Sequence, residues 1–407
     1  MTDQFKVYKY RWVVLGVFMF INLTIQILWI AYAPITGPAA AYYGVSDMAI
    51  GFLAMSFMIA FIPLSIPVSW AIDTFGFHKT VGVGAALMGV CGIARGLAGN
   101  NYVLVLLATI GLAASQPFLL NAWTKVPALW FPARERATVV GLVTLANLVG
   151  TAIGMVVTPM LANSISIAAI QLLYGSLAAV SAVLFILFAR EKPHTPPCIA
   201  GDDERALMLD GLKHAFSVRS FRLYLIIMFI GLGIFNGVST WIESIIRPRG
   251  FSPQDAGTVG ALMLAGGVLG AVILPIFSDR SGRRKPFILV GFLLGMPGLL
   301  GITFAGSSWL LYAAAAWTGF FLVGVNPIGM QYASEIARPT PEGTSNGLIQ
   351  LCGQASVVFV YLMAALRLPG GSFTPGLLAA AALMLGAVLL VSLLDEPGRK
   401  VVGGPGL

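Results

Sequence analysis

The chain has 407 residues, of which 58% are hydrophobic and only 10% are charged, and its mean hydropathy is +0.89. Soluble domains carry about 25% charged residues, so this composition excludes an ordinary soluble enzyme, a disordered protein and a nucleic-acid-binding protein. The cysteines Cys91, Cys198 and Cys352 are widely separated and have no histidine at ligand spacing. We therefore expect no disulfide framework, no metal site and no cofactor.

Long apolar stretches dominate the chain. The first residues, MTDQFKVYKYRW, contain no small-residue cleavage site, so the first apolar run is predicted to be a retained span and not a signal peptide. A helix needs about 20 apolar residues to cross a bilayer, which excludes the shorter alternating strands of a membrane barrel. The sequence therefore predicts an all-α membrane protein with spans at about 12–36, 48–72, 80–98, 102–123, 135–160, 168–189, 221–246, 255–278, 286–305, 309–334, 344–366 and 374–395.

The segment 190–220 differs from the spans, because it is rich in charged residues and proline. We interpret it as a cytoplasmic linker with a short amphipathic stretch near Leu207–Phe216. It separates a predicted six-helix bundle at 1–189 from a second one at 221–407.

Basic residues set the predicted orientation. If the N-terminus is cytoplasmic, 20 of the 24 Lys and Arg residues lie on that side, and the others are Arg95, Arg247, Arg249 and Arg367. The positive-inside rule then predicts a multi-pass plasma-membrane protein with both termini in the cytoplasm, and short loops suggest a prokaryotic one. The net charge of +8 is explained by topology and requires no nucleic-acid partner.

Two loops repeat at half-chain spacing. DTFGFHK at 73–79 and DRSGRRK at 279–285 each follow the second span of a half. The second copy fully matches D-R-x-G-R-[RK], which resembles the loop signature of the major facilitator superfamily, whereas the first lacks the first arginine. We predict that Asp73, Asp279 and Arg280 help to gate the cytoplasmic side. The alternative is that the basic residues only anchor the loop to anionic headgroups.

A second repeat precedes spans five and eleven. Asn147 follows Glu135 by twelve residues, and Gln354 follows Glu342 by twelve. Twelve helical residues rise about 18 Å, which places both amides near mid-membrane. Glu342 is grouped with the predicted gating residues.

Few titratable groups lie at membrane depth. No Asp or Glu is central in spans one, four, five, eight or eleven, and all three histidines fall in predicted cytoplasmic loops. This pattern favours facilitated diffusion over proton coupling. Glu243 is predicted to form an i,i+4 ion pair with Arg247, and its alternative role is that of a proton site.

The deep polar groups are amides, and one aromatic residue accompanies them. Trp29 lies inside the first span, and the position 207 residues later is Asn236, beside Phe235. The face of a tryptophan can bind a desolvated cation by about 2 kcal/mol, although packing is the alternative role. The amides that could contact a ligand are Asn22, Gln26, Gln116, Asn121, Asn147, Asn236, Asn326, Gln331, Gln350 and Gln354.

Several segments together resemble one group of carriers. The chain is similar to the FLVCR-type (feline leukaemia virus C receptor) group of the major facilitator superfamily, and the resemblance is carried by WIAY at 29–32, MIAFIPL at 58–64, WAIDT at 70–74, ARERAT at 133–138, NLVGT at 147–151 and EGTSNGL at 342–348. It implies twelve helices in two pseudo-symmetric bundles that move choline and, to some extent, ethanolamine by facilitated alternating access. Haem export has also been attributed to this group.

The resemblance also implies binding residues. It makes Trp29 the cation-binding tryptophan, and Met58, Gln116, Phe235 and Gln354 residues of the pocket. Two positions depart from the group: Asn236 replaces a tyrosine that closes the cage around the cation, and Gly37 replaces an asparagine. One wall of a quaternary-ammonium cage is therefore absent.

We predict a monomeric carrier in the lipid bilayer for a small organic cation or amino alcohol. One alternative is a carrier of an anionic or neutral metabolite, with or without proton coupling, in which Lys125 attracts the anion. Another is a membrane receptor that transports nothing, which the duplicated loops argue against. An enzyme is not expected, because no nucleophile–base pair or metal cluster appears at membrane depth.

Overall fold

The computed structural model describes residues 7–123, 125–193, 195, 209–338, 340 and 342–396. These residues form helices and connecting turns, with no β-strand among them. Twelve helical segments of this described part are long and apolar enough to cross a membrane. The predicted all-α membrane protein with twelve spans is confirmed.

Residue contacts divide the chain into two compact units. The first unit comprises 1–203 and 239–261, and the second comprises 204–238 and 262–407. Residues 239–261, from the end of the seventh span and the start of the eighth, thus pack with the first six spans. The predicted bundle boundaries at 190 and 221 remain a prediction.

Two of the first six spans are interrupted. The fourth is interrupted between Leu120 and Lys125, and the first continues to Tyr43 instead of ending near residue 36 as predicted. Its two parts are joined by a 3₁₀ turn at Ala33–Ile35. In order, the helices are α1 (Arg11–Ile30), α2 (Thr36–Tyr43), α3 (Asp47–Phe75), α4 (Phe77–Leu97), α5 (Tyr102–Leu120), α6 (Lys125–Trp130), α7 (Ala133–Ala162) and α8 (Ile167–Phe188).

Short polar residues begin several of these helices. The side chains of Ser46, Asn101 and Ser166 each accept a hydrogen bond from the backbone N–H three residues later, at 3.2–3.3 Å. Such N-caps satisfy donors that a helix leaves unpaired. The turns between the spans are therefore encoded locally in the sequence.

Small residues let α4 and α8 pack with their backbones in contact. A Cβ added at Gly92 would lie 3.0 Å from the Cα of Gly175, and one added at Gly96 would lie 2.3 Å from the Cα of Leu172. Helix association in lipid depends on such close packing, because lipid and apolar side chains are equally hydrophobic. The tight contact brings Arg95 of α4 to the same level as the start of α8.

The second half contains one linker helix and two interrupted spans. A short helix lies in the predicted amphipathic linker, a π-helical turn at Gly319–Val323 interrupts the tenth span, and a break at Ser356 interrupts the eleventh. The helices are α9 (Leu209–Ser217), α10 (Arg219–Ile246), α11 (Pro253–Ser281), α12 (Lys285–Phe304), α13 (Ser308–Thr318), α14 (Asn326–Ile336), α15 (Glu342–Ala355), α16 (Val357–Ala365) and α17 (Thr374–Ser392).

Candidate functional site

Trp29 lies at a break in the first span. Pro34 has no N–H and cannot donate to the carbonyl of Ile30, so α1 ends at Ile30. Trp29 is the last residue but one of this helix, is half-buried, and packs against the main apolar core of the first unit. Discontinuous spans at mid-membrane are where carriers commonly place substrate sites.

Gln116 lies at the same depth as Trp29. The indole Nε1 of Trp123, just after α5, donates to Asn22 Oδ1 of α1 at 2.8 Å. Trp29 lies seven residues after Asn22, and Gln116 lies seven residues before Trp123. Because the two helices are antiparallel, both residues are displaced from this hydrogen bond in the same direction, by about 10 Å. Both therefore belong to one level of the first unit.

Met58 of α3 joins the same level. Asn121 donates from Nδ2 to the Ser65 carbonyl at 2.8 Å, and Met58 lies seven residues before Ser65. Gln116 lies five residues before Asn121, so Met58 and Gln116 are separated by about 3 Å in depth. Met58 and Gln116 are both buried.

The deep amides of the first unit fall into two groups. Asn22 and Asn121 are used in helix-to-helix hydrogen bonds, and Asn147 accepts from Gln26 Nε2 at 2.9 Å. By contrast, the buried Oε1 atoms of Gln26 and Gln116 have no hydrogen-bond partner in the described part of the chain. Because an unpaired buried acceptor is costly, these two amides are the stronger candidates for contact with a ligand.

The second unit contains the other three candidate binding residues. Phe235 and Gln354 are half-buried, on α10 and α15. Asn236, which stands where the resemblance implies a tyrosine, donates to Ser356 Oγ at 3.2 Å and to the Gly353 carbonyl at 3.4 Å. Its amide therefore secures the break between α15 and α16, beside Gln354. The binding roles of the six candidate residues remain predictions.

A charged cluster closes the predicted outer end of the first unit. Glu243 is 2% exposed, accepts from the Gly37 N–H at 3.1 Å, and lies 3.7 Å from Arg247. Arg247 also pairs with Asp47. A Cβ at Gly37 would lie 2.0 Å from Arg247 Nη1, so the asparagine expected at Gly37 would require the Arg247 side chain to shift. The predicted i,i+4 pair is present within this larger network.

Among the described residues, the first copy of the repeated loop has one ion pair. Asp73 lies 2.6 Å from Lys125, at the start of α6, and both side chains are more than one-third exposed. Nearby, Arg11 pairs with Glu135 at 3.0 Å. Lys125, the basis of the anionic-substrate alternative, thus has a carboxylate partner.

The second copy is more densely connected. Arg284 pairs with Asp279 of its own loop and with Glu335, at the end of α14, at 3.3 Å. Burial lowers the pKa of the Arg284 guanidinium, but its hydrogen bonds to Asp279 and Glu335 outweigh burial and raise that pKa above its ordinary value. Arg280 is exposed, and the side chain of Glu342, the first residue of α15, lies outside the described residues.

A symmetric pair of carboxylates was missed by sequence reasoning. Glu191 accepts from the first two backbone N–H groups of α4 at 2.8 and 2.6 Å. Glu396 accepts from the Arg284 N–H at 2.5 Å and from the first residue of α12 at 3.4 Å. Each glutamate follows the last span of its half, and the two are 205 residues apart, close to the spacing of the repeated loops. This spacing could have indicated the pair from the sequence. Gly76 has φ +93°, and a Cβ there would lie 2.8 Å from the Glu191 carboxylate, which explains the glycine of the loop.

Within the described ranges, no three His, Cys, Asp or Glu side chains are placed to hold a metal ion.

The chain resembles known carriers in both sequence and fold. The sequence profile of the Major Facilitator Superfamily matches residues 14–273 and 244–405. The human protein named choline/ethanolamine transporter FLVCR2 is 30% identical over 369 residues, which is 86% of this chain and 70% of the human one. Solute carrier family 49 member A3 of Danio rerio is 29% identical over 387 residues, which is 91% of this chain and 81% of its own.

A solved structure extends the comparison. The crystal structure of a bacterial homologue of the human lysosomal transporter Spinster, inward-facing and unoccupied, superimposes with a TM-score of 0.74. The alignment covers 95% of this chain and 96% of the other at 14% identity, which shows the fold alone. Together the profile, the relatives and the twelve spans show that the chain belongs to the Major Facilitator Superfamily, within its FLVCR-type group, and is a multi-pass membrane transporter of a small molecule and not an enzyme.

Proposed function

We propose that this transporter moves a small organic cation or amino alcohol, of the choline and ethanolamine class, by facilitated alternating access. The observation that carries the proposal is the half-buried indole of Trp29 at the break of the first span, level with Met58 and Gln116. An indole face attracts a desolvated cation by about 2 kcal/mol, and a neutral amide can bind the hydroxyl of an amino alcohol. The name of the human relative supports the same class.

The charges near the site favour facilitation without proton coupling. No carboxylate is central in spans one, four or five, and Glu243 is held by the Gly37 N–H and Arg247. A proton-coupled carrier needs a titratable group that changes its protonation state during the cycle. Lys125, on which the anionic alternative was based, is paired with Asp73.

The orientation and setting are part of the proposal. The distribution of Lys and Arg supports cytoplasmic termini, with the repeated loops on the cytoplasmic side. We propose a monomeric protein of a prokaryotic plasma membrane in which Asp73, Asp279, Arg280 and Glu342 take part in gating.

Uptake into proteoliposomes tests the substrate class and the coupling together. Labelled choline and ethanolamine are offered without a pH or sodium gradient, and an inside-negative potential is imposed with potassium and valinomycin. Because a monovalent cation gains about 2.3 kcal/mol per 100 mV, accumulation should reach about 50-fold at an imposed potential of about 100 mV. Glu243→Gln should reduce uptake at most modestly, and Trp29→Ala vesicles are the control for specific transport.

Two results would contradict the proposal. A strict need for a pH gradient, removed by Glu243→Gln, would make Glu243 the proton site and exclude uniport. Competition by carboxylates, with none by amines, would favour the anionic alternative.

A further inference from the structure

Arg95 is a fully buried arginine whose setting the proposed transport cycle leaves unexplained. It lies near the end of α4, is 1% exposed, and donates from Nη1 to the Leu28 carbonyl at 3.0 Å. Its guanidinium carbon lies 5.4 Å from the centre of the Tyr32 ring. Nε and Nη2 are buried without a hydrogen-bond partner in the described part of the chain.

The two contacts of Arg95 lie on either side of Trp29. Leu28 immediately precedes Trp29 in the last turn of α1, where carbonyls lack helical donors. Tyr32 lies beyond the helix end, and its hydroxyl is 3.0 Å from that of Tyr43 in α2. Arg95 thus joins the end of α1 to the first residues of the break.

The opposite side of α1 is held by α7. A Cβ at Gly154 would lie 2.5 Å from the Ile30 side chain and 3.3 Å from the Ile27 carbonyl. The last turn of α1 is therefore clamped between the backbone of α7 and the guanidinium of Arg95. The direction in which the Trp29 side chain leaves this turn depends on both contacts.

A capping role alone does not account for an arginine at this place. A buried charge is expensive unless it is paired, and Arg95 forms no ion pair with a described carboxylate. One carbonyl could be capped by a neutral amide at lower cost. The planar guanidinium adds the ability to hold the carbonyl and lie over an aromatic ring at once.

We propose that Arg95 is a positioning residue for the substrate site: its bond to the Leu28 carbonyl and its contact with Tyr32 fix the break of the first span and thereby the orientation of Trp29. This inference rests on the proposed function, since it assumes that Trp29 contacts the cation. It predicts the direction in which cation affinity changes, because a buried positive charge by itself would repel a cation. Removing Arg95 should weaken cation binding, whereas loss of repulsion alone would strengthen it.

A double-mutant cycle with Trp29 tests the inference. Arg95→Gln keeps an N–H donor but removes the charge and the planar guanidinium. We expect it to raise KM for ethanolamine and choline uptake about tenfold in the Trp29 background, with a much smaller change in maximum rate, within the range found for residues coupled in one network. In the Trp29→Phe background the same change should raise KM no more than about threefold.

The matched control is Arg367→Gln in the second unit. Arg367 also donates to a carbonyl, that of Gly371 at 3.1 Å, and lies 5.4 Å from the Phe373 ring centre, and neither of these partners is a candidate site residue. It should leave KM unchanged in both backgrounds. If Arg95→Gln fails to fold in size-exclusion chromatography, Arg95→Lys replaces it. Its effect should have the same sign, because lysine lacks the planar group, and a smaller size, because the ammonium group can still donate to a carbonyl.

The outcomes separate the two proposals. Tighter cation binding in Arg95→Gln, or an equal KM increase in both Trp29 backgrounds, would overturn the positioning role and leave the proposed function intact. Absence of choline and ethanolamine uptake by the wild-type protein would overturn the proposed function itself. Unchanged uptake by Trp29→Ala would show that Trp29 is a packing residue and would remove the premise of the Arg95 role.

Discussion

The two units share a type of helix cap but differ in how their deep amide side chains are paired. In both, a carboxylate after the last span of a half, Glu191 or Glu396, caps the helix that follows the repeated loop. In the first unit, Gln26 and Gln116 retain buried oxygens without described partners, whereas in the second unit Asn236 is used to hold a helix break. Among its described residues the second unit also retains one such atom, the buried Oδ1 of Asn326, so both units contain deep amides that a ligand could contact.

The aspartates of the two repeated loops differ in their ion pairs. Asp73 has one exposed partner, Lys125, whereas Asp279 belongs to a network that runs through Arg284 to Glu335. The contacts at the helix ends are therefore shared by the two halves, whereas the ion pairs of the loop aspartates differ. This difference predicts unequal effects of equivalent substitutions.

The largest difference should separate Trp29 from Phe235. Trp29→Ala removes a cation-binding face of about 2 kcal/mol, so affinity for choline or ethanolamine should fall about 30-fold or more and uptake should be lost. Trp29→Phe should retain part of the activity, because a weaker aromatic face remains. Phe235→Ala should raise KM by a smaller factor, and the measurement is initial uptake rate against substrate concentration.

Folding must be checked for each of these variants by expression and size-exclusion chromatography. Wild-type transport by correctly folded Trp29→Ala would show that Trp29 is a packing residue. An effect of Phe235→Ala as large as that of Trp29→Ala would break the asymmetry between the units.

An intermediate difference should separate the two loop aspartates. Asp279→Asn keeps the shape but removes a charge from the Arg284 network, so turnover should fall several-fold while KM stays near normal, since the loop is distant from Trp29 along the helices. Asp73→Asn breaks only an exposed pair, a type worth about 0–1 kcal/mol, and should change turnover less. Uptake rates and the labelling of engineered cysteines from either side measure the two effects.

Equal turnover in the wild type and Asp279→Asn, with unchanged cysteine labelling, would remove Asp279 from gating. A larger effect at Asp73 would reverse the ranking of the loops.

The smallest effects, equal in the two units, are expected at the capping carboxylates. Glu191→Gln and Glu396→Gln each remove a negative charge from a helix N-terminus, which should lower the free energy of unfolding by about 1 kcal/mol. Thermal unfolding in detergent measures this change, with the exposed Arg222→Gln as a control. A clear loss of transport in only one of the two variants would argue that the caps are not equivalent.

Much of the architecture was predictable from local patterns. The spans follow from apolar length, and the caps at Ser46, Asn101 and Ser166 follow from residue type. The Glu243–Arg247 pair was predicted because the i,i+4 spacing on one helix fixes the distance between the side chains. Such features depend on neighbours within a few residues, and the sequence states those neighbours directly.

The fate of each deep polar group could not be predicted in this way. Asn147 and Gln354 occupy equivalent positions of the repeat, yet Asn147 is taken up by Gln26 of another span, and Gln354 lies beside a helix break held by Asn236. In the sequence, Arg95 is one of four basic residues on the predicted outer side, and only the tertiary structure shows that it is buried against Leu28 and Tyr32 of the first span. Whether a polar atom is paired, buried or left for a ligand depends on side chains tens of residues away, because hydrogen bonds and burial are set by helix contacts and not by the chain around each residue.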